Sequence, residues 1–414
     1  MRKINMNDLP ALLRQISESQ DLYVPVKTAG QVSFGTYSEE AEVSIETLKT
    51  VKSPKGVFFP QSEDMYTVIR AGKKIKIEPE SLADHDFVLF GVKACDIRGF
   101  QVLDKVFLSD PVDSFYAARR EHGIVVGLAC TEPAQTCFCK VFDIDAADPS
   151  KGWNGDTAGC CTEGMAADES TGDATANKPA CDVNTWIIDG VMYWQSLTEK
   201  GNRLTAQLSE NLGDIFAEAD SMEEQGSNAG AKAENTKNAG SAWTIVSAEK
   251  IRIAERIDAL PYSDLTLEGW GADALYDRFN SQVWDDLYKP CLACGTCTFV
   301  CPTCQCYDIK DYDTGHGVKR YRCWDSCMYS DFTLMAAVNN RKSQKERFRQ
   351  RFMHKLAYYP VNNDGLYSCV GCGRCVAKCP QNLNIIKVIK AFQKENGSSA
   401  VPGDTNAAGA KEGK

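Results

Sequence analysis

Two short runs constrain this chain more than any other feature. Residues 291–302 read CLACGTCTFVCP and residues 369–380 read CVGCGRCVAKCP. Both follow C-x2-C-x2-C-x3-C-P, the spacing of bacterial two-cluster ferredoxins. Three closely spaced thiolates in a tight loop can each reach one iron of a cubane. The fourth Cys falls at a turn, and the Pro after it turns the chain away from its own loop and toward the other cluster. The expected ligand sets are therefore Cys291, Cys294, Cys297 and Cys379 for one [4Fe–4S] cluster, and Cys369, Cys372, Cys375 and Cys301 for a second. Zinc knuckles also use C-x2-C pairs, but with four ligands in total. Eight cysteines in two matching runs, each closed by Pro, fit zinc poorly. Ligand exchange requires the two runs to meet in space, so residues 302–368 form an excursion packed against the cluster pair.

Cysteine is the outlier of the composition, 19 of 414 residues. The N-terminal segment is too polar for a signal peptide and no apolar run approaches a membrane span, so the expectation is a cytoplasmic chain in which cysteines bind metal or do redox work rather than form disulfides. The net charge of −10 argues against broad nucleic-acid binding.

Four further cysteines lie near apolar runs. Phe87-Val88-Leu89-Phe90 and Ile124-Val125-Val126 read as buried strands, as does Val57-Phe58-Phe59. Cys95 and Cys130 follow the first two of these, where sites form at the carboxyl edge of an α/β sheet. Cys137 and Cys139 flank Phe138. These four are the candidate ligands of a third [4Fe–4S] cluster, with zinc as the alternative and buried apolar thiols as the bland reading. Cys304, Cys306, Cys323 and Cys327 are another surplus foursome, read either as a further metal site or as soft side chains packed around the clusters. Cys160, Cys161 and Cys181 lie in or beside a polar stretch.

Apolar spacing predicts helices after Cys95, over Leu275–Leu287, over Phe348–Leu356 and after Pro380. Residues 341–355 (RKSQKERFRQRFMHK) carry seven Lys or Arg against one Glu. This segment reads as a docking patch for an acidic partner, as a cationic device tuning the clusters, or as a solvated helix face with Phe348, Phe352 and Leu356 beneath it. The four histidines are scattered and read as structural. No G-x-G-x-x-G and no phosphate loop is present, which places nicotinamide or flavin on a partner.

The combination of ACDIRG, CFC, CPTCQC and CWDSC with the two cluster runs resembles a family of iron–sulfur subunits. It includes the A subunit of anaerobic sulfite reductase and the beta subunit of archaeal-type NiFe sulfhydrogenases. The likeness extends over about 1–150 and 183–395. It implies a relay of single electrons between a flavin/NAD(P)H or ferredoxin module and a catalytic subunit, in a hetero-oligomer and with no bond-making chemistry in this chain. Two rival functions stay open: a sulfur-compound reductase using an unusual cluster at Cys304–Cys327, and a redox sensor acting through the basic helix.

The expected architecture is an α/β N-terminal domain (1–282) followed by an α+β two-cluster bacterial ferredoxin-like domain (283–395). Unstructured insertions are expected at 154–180 and 219–241 and a free tail at 396–414, because these segments lack the apolar side chains that offset the entropy of ordering.

Overall fold

The computed structural model describes residues 1–47, 49–153, 178–219, 241–271 and 275–398. The expected insertions and tail, with Cys160 and Cys161, fall largely or wholly outside these residues.

The fold is mixed α/β. Among the described residues twelve strands form two sheets. They are β1 (Arg2–Asn5), β2 (Asp21–Thr28), β3 (Gln31–Thr36), β4 (Ser62–Ala71), β5 (Lys74–Pro79), β6 (Phe87–Val92), β7 (Gly123–Leu128), β8 (Val183–Ile188), β9 (Val191–Ser196), β10 (Ala217–Glu218), β11 (Tyr307–Asp313) and β12 (Gly317–Trp324). The large sheet runs β10-β1-β9-β8-β7-β6-β2-β3, with β2, β6, β7 and β8 parallel at its centre. Every residue of β6 and β7 is buried, which is why both read as continuous apolar runs rather than alternating ones. Helices Leu9–Ser17 and Glu199–Leu212 supply part of the core on one face, and Ala94–Phe107 packs on the other. The two-residue turn Asp189-Gly190, with both residues at positive φ, closes the β8–β9 hairpin.

The small sheet runs β11-β12-β4-β5. Its outer hairpin belongs to the 302–368 excursion, and β12 pairs with β4, from Gly317 opposite Ile69 to Cys323 opposite Ser62. Buried Arg322 fastens this junction through Glu63 (2.5 Å) and Asp113.

Two local expectations are corrected. Val57-Phe58-Phe59 is not a strand: Lys55–Phe58 is a single helical turn after Pro54. Phe58 and Phe59 are both fully buried, in contact with Phe100 and Phe107 respectively. Adjacent strand residues would point to opposite faces, whereas the turn sends both inward. The Leu275–Leu287 segment is two short helices, Leu275–Asn280 and Trp284–Leu287, because the Ser281 hydroxyl caps the Val283 N–H and donates to Glu395. Helix Gln344–Met353 begins with a capping box of Ser343 and Glu346 and continues through a π-helical turn, His354–Tyr358. Among the described residues no helix is long and apolar enough to cross a membrane.

Candidate metal centres

The repeat seen in the two cysteine runs is also a repeat of backbone conformation. Ala293 and Gly295 in the first loop, and Gly371 and Gly373 in the second, all lie at positive φ. In each loop the second of these precedes a short helix, Thr296–Phe299 or Arg374–Lys378. These reversals curl the loop so that its cysteines face one space. Ala293 takes this conformation although its Cβ disfavours it, and its N–H donates to Cys291 Sγ (3.4 Å).

Three cavities carry the cysteines. The first is lined by Cys291, Cys294, Cys297 and Cys379, with Phe348, Arg351 and Phe352. The second is lined by Cys301, Cys369, Cys372 and Cys375, with Arg351 and Lys355. In both, the fourth cysteine comes from the opposite run. The third is lined by Cys95, Cys130, Cys137 and Cys139 at the carboxyl ends of β6 and β7, and by Cys372. One cysteine therefore walls both the second cavity and the third. Among the described residues no three His, Cys, Asp or Glu side chains gather closely enough to hold a single metal ion. The cysteines ring a space, which suits a polynuclear cluster better than a lone tetrahedral ion.

The charges around the first two cavities provide the test of fit. Arg351 and Lys355 are 4% and 3% exposed. Arg351 donates to the Cys297 carbonyl (3.3 Å), and its Nε is buried with no partner. Lys355 Nζ donates to Cys301 Sγ (3.4 Å), Thr303 Oγ1 (2.8 Å) and the Ser368 carbonyl (2.9 Å). Neither has a carboxylate partner among the described residues. Two buried cations without counter-charge are costly, and a cubane held by four thiolates supplies negative charge beside them. The cavities thus fit [4Fe–4S] clusters. The basic helix is accordingly not a wholly solvated face, since two of its cations turn inward with Phe348 and Phe352.

The thiols respond to these surroundings. Burial pushes Cys297 up to about 11 and Cys372 up to about 12, and raises Cys95, Cys130, Cys139 and Cys369. Cys301 is held well below the ordinary thiol range, first by a hydrogen bond from Cys304. Cys294 is the exposed member of its set and is lowered by its hydrogen bonds with Thr296.

The 304–327 foursome is only partly assembled. Cys304 meets Cys301, while Cys306 and Cys327 meet each other. A bond from Cys327 lowers the Cys306 thiol to about 7. Cys323 stands apart on β12, with Lys310, Asp308 and Asp325 as its charged neighbours. Cys181 is buried in the apolar core against Gly127.

Several contacts around the cavities cannot be read from the sequence motifs. Lys55 is 2% exposed, donates to the Cys304 carbonyl (2.7 Å) and lies over the Trp324 ring (3.9 Å to its centroid). Asp96 and Arg374 form a buried pair in the wall of the third cavity. The Cys137–Cys139 loop docks on the second cluster loop through Phe138 N–H to the Gly371 carbonyl (2.8 Å). The approach is so close that a Cβ on Gly373 would meet the Thr136 carbonyl at 2.1 Å. Gly373→Ala is therefore expected to lose more than the ~1–2 kcal/mol a Cβ costs in the left-handed region, and to reduce iron content. Gly30→Ala, also at positive φ but with nothing near its Cβ, should show only that conformational cost. Denaturant titration of both variants checks the contrast, and equal losses would count against the docking.

Residues 290–383 match the 4Fe-4S dicluster domain, so this part of the chain is a dicluster domain, which implies two [4Fe–4S] clusters. Across nearly its whole length the chain is also similar to Sulfhydrogenase 2 subunit beta of Pyrococcus furiosus. The two are 27% identical over 398 residues, covering 94% of this chain and 96% of that one.

Proposed function

We propose that this chain is an electron-relay subunit of a hydrogenase-type redox complex. It would pass single electrons between a flavin/NAD(P)H or ferredoxin module and a catalytic subunit. The observation that carries the reading is the succession of three cysteine-walled cavities with Cys372 in the wall of two. Full-length similarity to a sulfhydrogenase beta subunit supports the setting. The bound clusters supply the chemistry, each accepting and releasing one electron.

In this reading Cys291, Cys294, Cys297 and Cys379 hold the first cluster, and Cys301, Cys369, Cys372 and Cys375 the second, in a ferredoxin-like exchange of fourth ligands. Cys95, Cys130, Cys137 and Cys139 hold a third. The chain's own groups set the conditions. Phe348 and Phe352 exclude water from the first cavity, Phe138 and Ile385 from the second. Arg351 and Lys355 place fixed positive charge beside sulfur, which favours the more negative state of a cluster. Cys304 donates its S–H to Cys301, which draws charge from that ligand. A cytoplasmic, hetero-oligomeric setting follows from the same reading.

Iron and acid-labile sulfide in anaerobically purified protein test it, followed by EPR through a redox titration. About 12 iron per chain is the expected result, falling to about 8 when Cys137 and Cys139 are both changed to Ser. About 8 in the unaltered chain would remove the third cluster, and zinc in place of iron would remove the relay.

A further inference from the structure

The hairpin β11–β12 brings two cysteines together at its base. Tyr307 lies opposite Trp324, and Asp325 N–H donates to the Cys306 carbonyl (2.9 Å), extending the ladder by one step. A tight turn follows, with Ser326 N–H on Asp325 Oδ1 (2.6 Å) and Tyr329 N–H on the Ser326 carbonyl (2.9 Å). It folds Cys327 back toward Cys306, whose titration it influences most. Both thiols are free, and each is the first influence on the other's titration, Cys306 lowered and Cys327 raised. Cys323 turns elsewhere and Cys304 is engaged by Cys301, so a four-thiol metal site is not assembled here.

We propose that Cys306 and Cys327 form a two-electron dithiol–disulfide couple. The proposal rests on the relay reading, since reduced iron–sulfur centres are its electron source. On reduction the S–S bond breaks, and each sulfur takes one electron and one proton. Two one-electron donors are oxidised in turn and the protons come from solvent. The reverse step releases two protons and returns two electrons singly. The surroundings suit it: Lys55 and Lys355 act on Cys306, and Arg351 on Cys327. These buried cations stabilise the thiolate that exists before the protons arrive. A string of clusters moves one electron at a time, and a dithiol beside it holds a pair. That capacity would serve exchange with a two-electron partner, whether a hydride carrier or a sulfur–sulfur bond.

The test uses the full chain, purified anaerobically and poised with mediators at oxidising and reducing potentials. Samples are alkylated under denaturing conditions and mapped without reductant. A linked Cys306–Cys327 peptide is expected in the oxidised sample and should disappear on reduction. A reductive titration should consume about two electrons per chain more than in Cys306→Ser or Cys327→Ser, with iron content equal in all three. Absence of the linked peptide in protein whose clusters give normal EPR signals would overturn the couple and leave the relay standing. Loss of iron in either Ser variant would also overturn it, because the residue would then be a metal ligand. A linked peptide in protein with no cluster signal would instead overturn the relay reading and keep the disulfide.

Discussion

Asp96→Ala is expected to destabilise the protein by about 3–5 kcal/mol, the cost of breaking a buried ion pair from one side. Arg374 reaches Asp96 with two parallel hydrogen bonds, Nη1 to Oδ1 at 2.6 Å and Nη2 to Oδ2 at 2.7 Å. Its Nε and Nη2 also donate to the carbonyl and hydroxyl of Thr50. The two charged side chains are only 3% and 2% exposed. Removing the carboxylate leaves a guanidinium that can neither reach water nor lose its proton. Arg374→Met should cost a similar amount for the converse reason. The double variant Asp96→Leu with Arg374→Met should cost less than either single change, because no charge is then stranded. Chemical denaturation of the four proteins closes the cycle. A single-variant loss under about 1 kcal/mol would mean that water enters the pair and that it is no more than a surface bridge. The position gives this effect a functional side. Asp96 follows Cys95 in the chain and Arg374 lies between Cys372 and Cys375, so the pair fixes the third cavity against the second. Both single variants should therefore lose iron from the proposed third cluster before the first.

The two cysteine runs were legible because their chemistry is local. Three cysteines within seven positions and a Pro after the fourth are visible without knowledge of the fold, and so is the helix that starts beside Cys95. Strands β6 and β7 were legible for a related reason, since a strand buried on both faces writes itself as an unbroken apolar run. What could not be read was pairing at long range. Nothing in KDYDTGHGVKRYR announces that β12 will pair with β4, well over two hundred residues earlier in the chain. Nor does Lys55 carry a sign that its ammonium is buried on the Trp324 ring. Val57-Phe58-Phe59 misled because its composition suits a strand, while Pro54 and the aromatic core around Phe58 and Phe59 favour a turn. The basic helix misled in part because seven cations in fifteen residues suggest a solvated surface. Its spacing already held the answer: Phe348, Arg351, Phe352 and Lys355 lie three or four apart on one face, and the apolar members draw the cations inward with them. The pairing of Cys306 with Cys327 could only come from the hairpin, since the sequence offered Cys304 and Cys323 as equal candidates.

Lys355→Met is expected to lower the reduction potential of the cluster proposed at Cys301, Cys369, Cys372 and Cys375. Reduction adds one negative charge to a buried site, and a neighbouring cation favours that state, so removing the cation lowers the potential. A unit charge ~6 Å away in a medium of effective dielectric ~20 contributes about 2–3 kcal/mol, or on the order of 100 mV for a one-electron couple. Three features make Lys355 the strongest single lever. Its ammonium touches the Cys301 sulfur directly, it has no carboxylate among the described residues to cancel it, and it is shielded from solvent and salt. The Thr303 hydroxyl and the Ser368 carbonyl hold it in place, so the charge does not relax away when the cluster changes state. Lys342→Met, at an exposed position on the same basic segment, removes the same formal charge through water and should shift the potential far less. EPR-monitored potentiometric titration of the two variants separates these cases. Equal shifts would return the basic segment to a role in surface electrostatics. A shift confined to Lys355→Met, larger at the second cluster than at the first, is what a buried charge aimed at one ligand requires.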